Sequence, residues 1–472
     1  MVTRSGSLGA ALLIFLFFLT PSKLMIHPQR SLTVLSLAIS GILAAFAPAA
    51  QAQSLVELYD SARAFDATYL SAKLQYDANL ARAEQSRASI LPTASLSGTA
   101  TLTDFDTTLS TGSSLIRSFN TQGATLSASH PLYRPSNRAT FDQGQKQLTL
   151  ARAQLDAAEQ ELIVRTSQTY FDALASQDSL NFVKAQKAAV AEQLASAKRN
   201  FEVGTATITD TREAQARFDL VLAQEIAAEN DLRVKKIALD QLVGKQGTQP
   251  RSLAAPPVLQ AIEPADVNTW VQQSESAHPS IRVAQSNLEI AKLEVTKAEA
   301  GHKPTLDLTG SYNITRNPSG TSSSTASFNT NTATIGLSLN VPLFAGFSTQ
   351  NRIRETLSLS DKASSDLEGA RRNVAQSTRT AFFGVVSGQG QVKALEAAEL
   401  SSQSALDANR LGYQVGVRIN IDVLNSQSQL FQTKRDLAKA RYDVLVGGLR
   451  LRQANGSLRA EDLQAINSLL VK

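Results

Sequence analysis

From Ala94 through Leu96, Gly98 and Ala100 to Leu102, small and apolar residues occupy every second position, with Ser or Thr between them. The same period of two recurs at Leu306, Leu308, Gly310, Tyr312 and Ile314, and again at Ala333, Ile335, Leu337, Leu339 and Val341. A weaker instance lies within 119–130, at Ala124, Leu126 and Ala128. Alternation of this kind predicts strands with one apolar and one polar face. Each run is about ten residues, the length a tilted strand needs to cross a bilayer. The connections 104–118 and 316–329 are rich in Ser, Thr, Asn and Gly, as surface loops are. A water-soluble β-sandwich face shows the same alternation, so the period alone leaves both settings open.

Elsewhere the period lengthens. Residues 54–90 and 266–300 have helical composition, and 136–202 and 348–414 predict two very long helices. Each would measure about 100 Å at 1.5 Å per residue. Leu148, Ala151, Leu155, Ala158 and Leu162 recur at spacings of three and four, a coiled-coil seam with small residues that permit close packing. A returning arm shows Ala214, Phe218, Val221, Ala228, Leu232, Leu239 and Leu242 in the same register, interrupted by Glu225 and Lys235. The helices reverse at Val203-Gly204-Thr205 and Val415-Gly416-Val417, where glycine supplies the positive φ or the close backbone approach that a tight reversal requires. Tyr170-Phe171 and Phe382-Phe383, midway along the long helices, are read as core.

These elements are written twice. A shift of 212 places SILPTASLSG over GHKPTLDLTG and FEVGTATITD (201–210) over YQVGVRINID (413–422). The same shift superposes Gly244 on Gly456 and Tyr170-Phe171 on Phe382-Phe383; HPLY (130–133) meets VPLF (341–344) after a shift of 211. The chain therefore divides into a first repeat (53–244), a Pro-rich linker (245–265), a second repeat (266–456) and a tail (457–472). Each repeat is a leading helix, a strand hairpin and a long helical hairpin with a glycine tip. The fold class is mixed α and β, mostly α, with an internal duplication.

Composition removes several functions. The 472 residues contain no Cys, so disulfides, thiolate metal sites and Cys nucleophiles are excluded. The four His residues lie far apart, with no zinc spacing. No cofactor or metal is expected. No nucleophile elbow or paired-carboxylate cleft supports an enzyme. The formal charge is +5, but the first 53 residues hold three bases and no acid, leaving +2. No basic stripe interleaved with aromatics is present, so no nucleic-acid partner is expected. Residues 1–52 read as a signal peptide: Arg30, the apolar run Leu32–Ala47, then Ala50-Gln51-Ala52 before Gln53. Met25 fits a signal-peptide start better than Met1.

An open sheet edge in lipid leaves backbone groups unpaired at several kcal/mol each, so four spanning strands must close with strands of other chains. Two chains would give eight strands and a filled interior; three would give twelve and a lumen. A signal peptide with an oligomeric barrel points to the Gram-negative outer membrane, with the long hairpins in the periplasm. The strand starts ILPTASL and HKPTLDL, the pair HPLY and VPLF, the tips VGTATITD and VGVRINID and the ending GSLRAEDLQAIN resemble TolC-type outer-membrane efflux proteins over essentially all of 54–468.

The resemblance implies a homotrimer: a twelve-stranded transmembrane β-barrel in outer-membrane lipid, continued by a long periplasmic α-helical barrel. It implies an exit duct for proteins or small toxic compounds, partnered by a periplasmic adaptor and an inner-membrane ABC, RND or MFS transporter. Absence of an N-terminal Cys leans toward the unlipidated, type I secretion-like branch. A second reading is a periplasmic coiled-coil structural or adaptor protein that does not span the membrane, although two equal repeats argue against it. Matched residue by residue, Asp422 falls on a ring carboxylate favouring cations. A second ring acid expected three residues on is Asn425 here. Tyr413 and Arg418 match inner-coil groups that bond across to Thr209 and Asp210, an Arg–Asp latch. Val203, Gly204, Val415 and Gly416 match the adaptor-docking tips.

Overall fold

The computed structural model describes residues 52–254 and 261–471. The segment expected to be a signal peptide, up to Gln51, and residues 255–260 of the expected linker lie outside the described residues. In chain order the elements are α1 (Leu55–Phe65), α2 (Ala67–Arg87), β1 (Thr93–Thr108), β2 (Ser114–Tyr133), α3 (Pro135–Glu202), α4 (Ile208–Val243), α5 (Val267–Ala277), α6 (Pro279–Glu299), β3 (Thr305–Asn317), β4 (Phe328–Asn340), α7 (Ser348–Gln414), α8 (Asn420–Ala454) and α9 (Asp462–Asn467). The second half repeats the first, and α8 starts 212 residues after α4, at 420 against 208.

Each leading helix is two helices rather than one. Asp66 ends α1 in an extended conformation, and its carboxylate accepts the Tyr69 amide at 2.8 Å to cap α2. An Asp at this position satisfies an otherwise orphaned helix amide, which stabilises the break. In the second repeat His278 takes the same place, because Pro279 pushes the preceding residue out of the helical region. The glycine that ends each returning helix lies against its own repeat's break. A β-carbon on Gly244 would fall 2.4 Å from the Phe65 ring, and one on Gly456 2.4 Å from the His278 Cα.

The strands form one antiparallel sheet in the order β1-β2-β3-β4, so β2 and β3 join the two repeats and β1 and β4 are open edges. Its register places Leu96 opposite Leu126, Leu126 opposite Tyr312 and Tyr312 opposite Ala333, in one apolar row across all four strands. The reverse face is hydroxyl and amide. There Ser95 meets Ser127 at 2.8 Å, Thr125 donates to Asn313 at 2.9 Å and Thr121 to Asn317 at 2.9 Å. The apolar face is bare: Leu96 is 76% exposed and Ile335 82%. No strand residue enters the buried hydrophobic clusters of the described residues. A soluble sandwich would cover such a face. The strands run to 13–20 residues, beyond the alternating core of each pattern. Thirteen residues extend about 44 Å, which at a tilt of about 45° covers roughly the 30 Å of a bilayer's hydrocarbon. Among the described residues no helix is long and apolar enough to cross a membrane.

The 68-residue α3 and 67-residue α7 each pair with a shorter returning helix, α4 or α8. The α3–α4 seam buries Ala214, Val221 and Leu239, and Ala151, Leu162 and Leu232 are buried as well, as the spacing predicts. The two charged interruptions are paired from α3: Lys187 meets the buried Glu225, and Asp172 meets Lys235 at 3.3 Å. Tyr170, Phe171 and Phe382 are buried, but Phe383 is 57% exposed, against expectation. Adjacent residues on a helix point about 100° apart. In α3 both directions are covered, because the Tyr170 hydroxyl reaches the Arg251 carbonyl at 2.9 Å while Phe171 stacks on Tyr442.

The largest cluster sits at mid-height, where α1, α3, α4, α8 and the tail converge on Leu58, Tyr59, Phe171, Leu239, Tyr442 and Leu463. The segments around Gln53, Arg251–Ala254 and Leu469–Val471 are stitched together there. Arg251 donates its amide to Gln53, Ala254 to Leu469 and Val471 to Ser252.

Candidate functional site: the hairpin tips

Both tips use the same backbone device. Val203 and Val415 leave the helix at φ −91° and −90°, and Gly204 and Gly416 follow in the left-handed region at +79° and +80°. Amides after each reversal then bond back to the helix end: Thr205 to the Asn200 carbonyl at 2.8 Å and Val417 to Gly412 at 2.9 Å. Either glycine has open space around it. The side chains beside them are apolar and exposed, Val203 at 73% and Val417 at 75%, with Val415 and Ile419 also bare.

The two returning helices start differently, and the difference redistributes the charges. In the first repeat Thr207 caps α4, with its hydroxyl accepting the Asp210 amide at 3.2 Å. The Asp210 carboxylate in turn accepts the Thr207 amide at 2.9 Å and hydroxyl at 2.8 Å. In the second repeat Ile419 stands where Thr207 did and offers no cap. Asp422, the counterpart of Asp210, instead pairs with Arg418 one turn earlier at 3.6 Å. Within one chain Arg418 therefore reaches Asp422, and the structure does not bring it to Asp210. Thr209 is exposed. Tyr413 packs inside its own hairpin against Leu406, Val423 and Leu430.

What joins the two tips is a set of amides. Asn420, the first residue of α8, is fully buried. Its Nδ2 donates to the Asp210 carbonyl at 3.4 Å, and its Oδ1 accepts from Gln193 of α3. The Leu424 side chain beside it enters the first hairpin's core with Val190, Ala214 and Val221. One turn on, the exposed Asn425 accepts a 2.6 Å bond from the Arg217 guanidinium. Sequence reasoning missed Asn420, Gln193 and Arg217. The available signal was the repeat itself, since Asn420 falls where the first copy has Ile208.

A family model described as outer membrane efflux protein matches residues 58–245 and 270–457. The chain belongs to the outer membrane efflux protein family. Outer membrane protein TolC of Vibrio cholerae is 32% identical over 435 residues, covering 92% of this chain and 98% of that protein. Alkaline protease secretion protein AprF of Pseudomonas aeruginosa is 30% identical over 352 residues, 74% of this chain and 73% of that one. Among solved structures, VceC from Vibrio cholerae matches with a TM-score of 0.74 over 86% of this chain and 96% of that chain, at 18% identity. CusC matches with a TM-score of 0.76 over 86% and 92%, at 17% identity. Those two likenesses are of fold.

Efflux proteins of this family are outer-membrane exit ducts of tripartite export systems, and this chain is one of them. It resides in the outer membrane of a Gram-negative cell with a long periplasmic extension. TolC-family channels are homotrimers that work with adaptors and inner-membrane transporters.

Proposed function

We propose that three copies of this chain close their sheets edge to edge into one twelve-stranded barrel, and that the helical hairpins continue its lumen through the periplasm. The reading rests above all on the sheet: one apolar face with no cover, one hydroxyl-lined face, and two unpaired edges. Because each chain contributes an even number of strands, β1 of one copy meets β4 of the next in the antiparallel sense already used within the chain. Lipid supplies the cover for Leu96, Leu126, Ile335 and Leu337, and the Ser and Thr face lines water.

The duct passes proteins or small toxic compounds delivered by an inner-membrane transporter of the ABC, RND or MFS class through a periplasmic adaptor. Relatives named for protease secretion support protein cargo. The bare valines beside Gly204 and Gly416 are the surface we assign to the adaptor, since exposed apolar side chains at a helix reversal gain most from a partner. Asp422 is the carboxylate we assign to the narrow axis. Thr209, Asp210, Tyr413 and Arg418 are assigned to contacts with neighbouring copies, for which the exposed Thr209 and Arg418 leave room.

Protein extracted from outer membranes and added to planar bilayers tests the reading. Discrete conductance steps are expected. A monomer in the periplasmic fraction that carries no current would overturn it.

A further inference from the structure

We infer that Arg217 and Asn425 form the clasp that holds the two hairpin tips of each chain together at rest, with buried Asn420 as its pivot. The inference rests on the duct reading above and names a contact that the charged pairs expected from sequence do not supply.

The spacing of ties between the repeats is the first support. High on the coil, α8 is fastened to α3 three times: Gln453 to Glu161 at 2.9 Å, Arg450 to Gln168 at 3.0 Å and Tyr442 to Asp178 at 2.6 Å. Among the described residues α8 then makes no hydrogen bond or ion pair to α3 or α4 until Asn425. Seventeen residues separate Tyr442 from Asn425, about 25 Å of helix. Toward the first repeat, the lower part of α8 is thus bonded above and again only at the tip. Arg441–Glu396 at 2.8 Å and Lys434–Glu399 at 3.9 Å tie it to α7, so the α7–α8 hairpin swings as a unit.

The chemistry at the tip is the second support. Asn420 is fully buried and uses both ends of its amide, so it locates the tip without a charge. Asn425 is exposed and meets a guanidinium, so the bond is charge-assisted on one side only. A fully charged pair would hold harder, and a neutral pair less. The competing carboxylate is occupied, because Asp422 already meets Arg418 on its own helix. Solvent reaches Asn425, so a partner that rotates α8 breaks this bond without burying an unpaired group.

Single-channel recording on the intact trimer tests the clasp. Arg217→Ala and Asn425→Ala are expected to raise resting conductance severalfold. Asn425→Asp, which completes an ion pair, is expected to lower it below the parent, and Arg217→Ala in that background is expected to raise it again. Joining Arg217→Cys to Asn425→Cys with a short thiol cross-linker, in a chain with no other Cys, should hold resting conductance at or below the parental level. If the parent conducts while both alanine variants match it, or if Asn425→Asp opens the channel, the clasp is wrong and the duct stands. A parent that forms no channel removes the duct reading and the clasp with it.

Discussion

The Tyr442 hydroxyl donates a 2.6 Å hydrogen bond to the Asp178 carboxylate, fastening α8 of the second repeat to α3 of the first beside the Phe171–Tyr442 ring stack. Burial raises the Asp178 pKa above the ordinary carboxylate value, and the Tyr442 bond partly opposes it. Both groups lie where α3 and α8 cross.

Tyr442→Phe keeps the ring and removes the bond. A buried acceptor left unsatisfied costs about 1–3 kcal/mol. The penalty depends on pH. A carboxyl with a raised folded-state pKa contributes stability below its unfolded pKa and loses it as pH rises through the folded value. Removing Tyr442 raises that value further. The variant is therefore expected to melt lower than the parent at pH 7, with the gap narrowing as pH falls toward about 4, near the unfolded pKa of an Asp. Thermal unfolding of the trimer at the two pH values checks this.

Gly456 and Gly416 share φ +80° but not surroundings. Alanine in the left-handed region costs about 1–2 kcal/mol. At Gly416 nothing else opposes it, so Gly416→Ala is expected to assemble with a small loss of heat resistance. At Gly456 a β-carbon would sit 2.4 Å from the His278 Cα and 2.7 Å from its amide nitrogen, both backbone atoms. Gly456→Ala is expected not to accumulate as trimer. Equal yields of the two in outer-membrane fractions would show that the helix break is looser than described.

Asp422 is the carboxylate assigned to the axis. Asp422→Asn is expected to reduce cation preference, read as a smaller reversal potential across a KCl gradient. Because Asn425 adds no second carboxylate, the parental preference is expected to be modest, and Asn425→Asp to increase it. Unchanged reversal potentials in both variants would place these residues off the axis.

Much of the fold was legible because long seams and strict alternation leave few alternatives. The span read as 136–202 is a helix over 135–202, and the glycine tips lie where the reversals were placed. Strand extents were not legible: backbone ladders continue past the alternating side chains, so the run read at 119–130 extends over 114–133. Asp66 was missed as a break because an N-capping Asp inside a helical stretch resembles a surface residue, whereas Pro279 offered a visible signal. Phe383 was misplaced because matching aromatic dipeptides in the two repeats meet different cover. At the tips, resemblance supplied charged pairs, but the bonds within one chain depend on Thr207 facing Ile419 across the duplication, and on Asn420, a polar residue where the first copy is apolar.

The central claim is that β1 of one chain pairs with β4 of the next until three chains close. Cysteine pairs placed on these two edges of the otherwise cysteine-free chain, oxidised in outer membranes and run on a denaturing gel, test it most directly. The account predicts a covalent ladder of one, two and three chains, ending at three. Cross-links confined to single chains, or a ladder ending at two, would contradict it.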